Sequence, residues 1–313
     1  MGGLAPDMSV DIGGLKLANP VIAASGIVGY GKEYSNLGIL RHFGAVIVKG
    51  TTLTPRAGNP PPRLVETPAG LLNSVGLENP GVDAVIREEI PRLEATGATI
   101  IVNVAGATAD EYLRVTEKLE AAESVRALEI NVSCPNVKAG GMQFGTDPDA
   151  CASLVERLRG ATAKTIIVKL SPNTSRIVEV ANAVERAGAD AVSLINTILG
   201  MAIDIAACKP VLPNIFGGLS GPAVKPVALR MVWEVSGSVR IPVIGLGGIS
   251  SSTDALEFMM AGATAVQIGT TLFRNPLAGE RIVNGMSEWL SERGIESVRE
   301  ITGMARMVNG FDR

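Results

Sequence analysis

The residues with the clearest capacity for chemistry stand together in Asn131-Val-Ser-Cys-Pro-Asn136. The run before them, Ala127-Leu-Glu-Ile-Asn-Val132, reads as a buried strand, and Pro135 ends it because proline has no N–H to give to a ladder. Cys134 is thereby delivered to the mouth of a strand, at the start of the glycine-rich segment Lys138–Gly145. A thiol so placed can serve as a base or as a nucleophile. The plainer reading is a small buried hydrophobe, the state of most free cysteines. The amides on either side favour chemistry. The single histidine, His42, precedes the second apolar run, so a Cys–His or Ser–His pair is not expected, and no cluster with metal-ligand spacing occurs.

The elements that must position this thiol are visible as eight apolar or β-branched runs: Val21–Ala24, Ala45–Val48, Thr99–Val102, Leu128–Val132, Thr165–Leu170, Ala191–Ile195, Pro242–Leu246 and Ala265–Ile268. Amphipathic segments lie between them, at Pro80–Thr96, Asp110–Ala121, Pro148–Ala161, Ser175–Ala187, Lys225–Ser236 and Ser252–Ala261. Gly97, Gly188 and Gly262 follow such segments as helix stops. Alternation of this kind implies a parallel sheet. Eight units suit a (β/α)8 TIM barrel of one domain spanning residues 1–313, and no GxGxxG follows an early strand as an open doubly wound sheet would require. Surplus residues fall in an N-terminal hairpin at Met8–Leu17 and in long excursions after strands 2, 4 and 6.

Bulk properties set the outer limits. A net charge of −3 without a basic cluster argues against nucleic acid as a partner. Three scattered cysteines (134, 151 and 208) give neither a disulfide framework nor a zinc site, and suit a reducing, cytoplasmic setting. No signal peptide and no apolar run of membrane-spanning length is seen, so no membrane is expected. Cys151, in a helical stretch, and Cys208, in the sixth-strand excursion, read as packing or surface residues.

In a barrel of this type, functional groups gather at the carboxyl ends of the strands. Those ends carry Ser25-Gly26, Lys49-Gly50, Asn103, Asn131 with Cys134, Lys169 with Ser171, Asn196-Thr197, Gly247-Gly248 and Gly269-Thr270. The turns after strands 7 and 8, each leading into helical sequence, suit an anion such as a phosphate, and Gly217–Gly221 offers a third set of N–H donors. Lys49 and Lys169 each close an apolar strand, where an ammonium needs an anion beside it. The strand ends supply no carboxylate, which leaves Glu129, inside the fourth strand, as the counter-candidate.

Taken together, these motifs resemble the class 1 dihydroorotate dehydrogenases, flavin enzymes that make orotate for pyrimidine (UMP) biosynthesis. The resemblance runs from Val10–Gly26 through Lys49-Gly-Thr-Thr52, Asn73-Ser-Val-Gly-Leu-Glu-Asn79, Asn131–Asn136, Lys169-Leu-Ser-Pro172 and Ile195-Asn-Thr197. It continues to Gly218-Leu-Ser-Gly-Pro222, Gly245-Leu-Gly-Gly248 and Gln267-Ile-Gly-Thr270. Cysteine rather than serine at 134 is the class 1 mark. Residues Gly29-Tyr-Gly-Lys-Glu-Tyr34 are more similar to the NAD-linked 1B type than to the fumarate-linked 1A homodimer.

The resemblance implies FMN held by Ser25, Lys49, Gly50, Asn103, Asn131, Lys169, Ile195, Gly221, Gly247, Gly248, Gly269 and Thr270. It implies dihydroorotate held by Lys49, Asn73, Ser74, Val75, Gly76, Leu77, Asn131, Asn196 and Thr197, with Asn136 as a further candidate and no chemistry attached to the Val75 side chain. Cys134 would be the base. A homodimer is implied, joined in the 1B type by a subunit carrying FAD and a [2Fe–2S] cluster to give a heterotetramer; this chain lacks the four cysteines such a cluster needs. Other readings stay open: a dihydropyrimidine dehydrogenase-like flavin subunit, an aldolase or isomerase with Lys169 as a Schiff-base lysine, and a non-catalytic subunit.

Overall fold

A computed structural model of the chain describes residues 5–35, 37–132 and 141–307. Its centre is a closed barrel of eight parallel strands: β1 (Val21–Ala23), β2 (Ala45–Thr51), β3 (Ile100–Val104), β4 (Val125–Asn131), β5 (Thr165–Lys169), β6 (Ala191–Leu194), β7 (Val243–Leu246) and β8 (Ala265–Ile268). Each strand pairs with its sequence neighbour, and β8 closes on β1 through Val266–Val21 and Gln267–Ile22. The runs are almost wholly apolar because both faces are covered, one by the barrel interior and one by helices. Val46, Ile47, Ile101, Leu128, Ile167 and Val266 are all fully buried. Each such side chain contributes roughly 1.5–3 kcal/mol relative to exposure.

The outer layer includes α1 (Ala109–Glu120), α2 (Pro148–Arg159), α3 (Ile177–Arg186), α4 (Lys225–Ser236), α5 (Ser252–Met260) and α6 (Ala278–Glu292). Thr108 caps α1 by accepting from the Glu111 N–H, and Ser251 caps α5 in a reciprocal box with Asp254. The helix expected over residues 80–96 is instead a continuous but uneven one: Val82–Ala84, a π turn at Val85–Glu89, then Ile90–Glu94. Gly97, Gly188 and Gly262 have φ of 74°, 93° and 120°, so these stops use backbone that other residues avoid. No helix among the described residues is long and apolar enough to cross a membrane.

Three additions position the rim. An antiparallel hairpin (Val10–Asp11 with Lys16–Leu17) lies before the barrel. The excursions after β2 and β6 meet in one four-stranded antiparallel sheet, ordered Ile198–Met201, Phe216–Ser220, Gly70–Asn73, Leu64–Thr67. Asn73 is thereby registered against Gly218, across 145 residues of chain. The excursion after β4 includes residues 133–140, which lie outside the described residues, and Cys134 and Asn136 are among them.

Candidate active site at the barrel mouth

A chain of side-chain amides crosses the carboxyl ends of β3, β4 and β6. Asn103 and Asn131 are buried, and Asn131 Nδ2 donates to Asn103 Oδ1 at 3.4 Å. Asn196 Nδ2 donates to Asn131 Oδ1 at 3.3 Å, and Asn196 Oδ1 accepts from the Thr197 N–H at 2.8 Å. Tyr112, on α1, donates its hydroxyl to the Asn131 carbonyl at 2.6 Å and so ties the end of β4 to the helix layer. The expected amides thus form one connected group.

Both strand-end lysines have anionic partners, one from a loop and one, as expected, from inside the fourth strand. Lys49 Nζ is 3.3 Å from Glu78 Oε2, in the loop after β2, and the same oxygen accepts from Arg63 at 2.7 Å. Burial would raise the Glu78 pKa, yet the Lys49 charge and hydrogen bond, with Arg63, hold its carboxyl below the ordinary value. Lys169 Nζ is 3.7 Å from Glu129 Oε2, and both groups are buried. Glu129 is the counter-candidate that the sequence offers, whereas Glu78 and Arg63 are not among the expected site residues. A cavity of about 430 Å³ beside Lys49 is lined by Tyr30, Arg56, Glu78 and Asn79 among others. Burial pushes the Tyr30 phenol up to about 12. A larger concavity, about 550 Å³, lies among Leu229, Trp233 and Met260 on the outer helices, remote from the amide chain.

The segment 73–77 is held against this group. Asn73 Nδ2 donates to the Gly218 carbonyl at 3.2 Å. Ser74 is buried, its N–H bonded to Arg63 O and its carbonyl taken by Asn59 Nδ2 at 2.9 Å, while Val75 O accepts from the Asn59 N–H. Gly76 and Leu77 have φ of 78° and 56°, which turns the loop back toward β2. A Cβ on Gly50 would stand 2.9 Å from Leu77 Cδ2 and 3.1 Å from Asn103 Oδ1, so glycine there lets β2, β3 and the loop carrying Leu77 converge. Thr197 packs over Gly218 in the same way: any side chain at 218 would collide with it.

The glycine turns expected to bind an anion also converge. A Cβ on Gly248 (φ 78°) would lie 2.8 Å from the Gly221 carbonyl oxygen, and one on Gly221 (φ 95°) would lie 3.6 Å from Thr270 Cγ2. Thr270 Oγ1 donates to Ser220 Oγ at 2.8 Å. Ile195 borders Gly247, whose added Cβ would be 3.3 Å from Ile195 Cγ1. Gly269 borders Ala24 and Ile27, and Ser25 Oγ donates to Val48 O at 2.9 Å. At the start of α5, Asp254 Oδ2 takes the N–H groups of Ser250 and Ser251, and the Asp254 N–H is given to Ser251 Oγ. Among the described residues, neither Gly248 N nor Thr270 N has a backbone acceptor.

Comparison with known proteins agrees with this geometry. The family model described as dihydroorotate dehydrogenase matches residues 7–290. A protein of Trichlorobacter lovleyi named dihydroorotate dehydrogenase B (NAD(+)), catalytic subunit, is 57% identical over 300 residues, covering 96% of this chain and 99% of that protein. One of the same name from Geotalea uraniireducens is 55% identical over 298 residues, covering 95% of this chain and 98% of that one. A crystal structure of DHODH from Eimeria tenella, in complex with ferulenol, shares the fold at a TM-score of 0.78 and 23% identity, covering 95% of this chain and 88% of that one. The barrel, the amide chain and the paired strand-end lysines are thus those of a chain that belongs to the dihydroorotate dehydrogenase family.

Proposed function

We propose that this chain, as a single barrel domain, is the catalytic FMN subunit of a 1B-type dihydroorotate dehydrogenase, oxidising dihydroorotate to orotate in pyrimidine (UMP) biosynthesis. The observation that carries the proposal is the connected amide set Asn103, Asn131 and Asn196 at the same barrel mouth as the two strand-end lysines, Lys49 and Lys169. An amide offers both donor and acceptor, which suits a pyrimidine edge that alternates N–H and C=O.

The residues present suit FMN. The turns at Gly221, Gly248 and Thr270 form a cradle that a Cβ would fill, with backbone N–H groups available for a phosphate. Ser25, Lys49, Gly50, Asn103, Asn131, Lys169, Ile195, Gly247 and Gly269 complete the proposed set. When bound, FMN supplies the acceptor for the hydride that leaves C6 of dihydroorotate. Lys169 offers a fixed positive charge where negative charge grows during the reaction. Lys49, Asn73, Ser74, Val75, Gly76, Leu77, Asn131, Asn196 and Thr197 are assigned to the substrate, with the N–H groups of Gly76 and Leu77 directed to its carboxylate. Cys134, outside the described residues, is assigned the C5 proton: its thiolate takes the proton as the C6 hydride leaves, and the C5–C6 double bond forms.

A second subunit with FAD and a [2Fe–2S] cluster is proposed as the route to NAD, supported by relatives whose name includes NAD(+) and "catalytic subunit". The exposed apolar strip Leu199, Met201, Ile203, Ile205, Ile215 and Phe216 supports association with further chains, as a homodimer within a heterotetramer.

The test is anaerobic. Purified protein is expected to show flavin absorption that bleaches with dihydroorotate and not with dihydrouracil, and to reoxidise with NAD only when the iron–sulfur partner is co-expressed. Colourless protein that borohydride traps on a carbonyl substrate through Lys169 would favour a Schiff-base enzyme instead. Rapid reoxidation by fumarate without a partner would favour the 1A type.

A further inference from the structure

Glu129 lies at the middle of the barrel interior, fully buried, and four strands direct groups at its carboxylate. Oε1 accepts from Ser193 Oγ (β6) at 2.8 Å and from Gln267 Nε2 (β8) at 2.7 Å. Oε2 accepts from Asn103 Nδ2 (β3) at 2.7 Å and faces Lys169 Nζ (β5) at 3.7 Å. Two amide N–H groups, a hydroxyl and an ammonium form a donor set suited to an acceptor-only, ionised carboxylate.

Two consequences follow from that charge. The first concerns amide direction. An asparagine side chain has no intrinsic preference for which end faces a neighbour; the network decides. Because Glu129 can only accept, Asn103 must turn its NH2 inward and its oxygen outward. Asn131 then donates to Asn103, and Asn196 donates to Asn131, all in one sense. The second concerns Lys169. Its ammonium is held against a fixed counter-charge on the interior side, which both anchors it and weakens the field it projects toward the mouth.

We propose that Glu129 is a positioning residue that acts through Asn103 and Lys169: its buried charge sets the direction of the amide chain and tempers the cation beside the flavin. The inference rests on the FMN assignment made above, and extends it to a residue that touches neither flavin nor substrate.

The experiment is the midpoint potential of the protein-bound flavin, with orotate affinity as a second readout. In E129Q the potential is expected to rise, because one negative charge near the reduced flavin is lost, and orotate binding is expected to weaken at least about fivefold as the amide chain loses its fixed sense. S193A, which deletes one donor and keeps the charge, is expected to stay near the wild-type potential. Removing the counter-charge beside buried Lys169 is expected to destabilise the fold. Should E129Q fail to fold, the same comparison is made between K169M and E129Q/K169M, where no charge is left unpaired in the double variant; its potential is expected to lie above that of K169M. An unmoved potential in the pair that folds overturns the inference. Wild-type protein that binds no flavin overturns the reading beneath it, a distinguishable result.

Discussion

The carboxylate of Glu78 and the ammonium of Lys49 stand 3.3 Å apart at the edge of the site, and Arg63 grips the same carboxylate oxygen at 2.7 Å. Lys49 therefore reaches the mouth already neutralised in part, by a side chain from the loop that also carries the proposed carboxylate-binding N–H groups. An anionic substrate approaching Lys49 meets a competitor.

From this, Glu78→Gln is expected to lower the KM for dihydroorotate about two- to fivefold, with kcat within about twofold. The ceiling follows from the modest worth of partly exposed ion pairs. Because Lys49 and Arg63 keep the Glu78 carboxyl below its ordinary value, it stays ionised across neutral pH, and the effect should be the same at pH 6 and pH 8. Steady-state kinetics at both values decide it; a raised KM counts against the competition.

Cys134→Ser is expected to retain flavin and to bind orotate within about threefold of wild type, while flavin reduction by dihydroorotate slows by ~10²–10⁴. A hydroxyl is a poor base near neutral pH. In the wild type the reduction rate should climb toward mildly alkaline pH, since a free thiol ionises near about 8.5. Stopped-flow absorbance measures both, and unchanged reduction in the variant removes the cysteine from the reaction.

Gly248→Ala tests the cradle. The new methyl would meet the Gly221 carbonyl at 2.8 Å and Lys225 N at 2.9 Å, at a φ of 78°. Both neighbours are backbone, so relief requires a loop to move, and the strain is ~1–3 kcal/mol. The expected result is at least a tenfold loss of FMN affinity in equilibrium titration, with far-ultraviolet circular dichroism preserved.

Asp254 offers a stability prediction with a definite sign. Burial alone would raise its pKa, but the Lys225 ammonium and the Ser250 and Ser251 donors hold it down at about 2, against 3.8 when free. Such a carboxylate contributes stability in full above the unfolded value and loses it as pH falls through the folded one. Asp254→Asn should cost on the order of 1–2 kcal/mol at pH 7, less than the full linkage value because solvent screens part of the pair. Denaturant melts should show the gap between variant and wild type closing between roughly pH 4 and pH 2.

Cys151 and Cys208 should differ sharply toward thiol reagents. Burial pushes the Cys151 thiol up to about 12, and its side chain is sealed beneath α2, whereas Cys208 is exposed. Mass spectrometry after brief labelling at pH 8 should find Cys208 modified and Cys151 intact; modification at both before unfolding contradicts the packing.

The barrel strands were readable because strands covered on both faces leave unbroken apolar runs, and β1 through β8 all fall within a few residues of them. The rim asparagines and lysines followed from knowing which strand ends share a face. The four-stranded sheet was not readable: Gly70–Asn73 finds its partner in Phe216–Ser220, and no local pattern encodes so distant a register. Glu78 carried no signal either, being a loop carboxylate without periodicity. Glu129 did leave one. Leu-Glu-Ile, Val-Ser-Leu and Val-Gln-Ile each interrupt an apolar strand with a single polar residue, at Glu129, Ser193 and Gln267. Isolated polar positions in several buried strands mark a shared interior layer, because none can be left without a partner.

The closing pair of strands has a temporal consequence. β1 near the amino terminus can complete its ladder only when β8, some 240 residues later, is available, and such distant pairings are slow to form. The turn after β8 supplies Thr270 to the glycine cradle, so the proposed flavin site stays incomplete in a growing or truncated polypeptide until β8 has met β1. On that reading, yellow colour retained after gel filtration would report what share of the chains has closed the barrel.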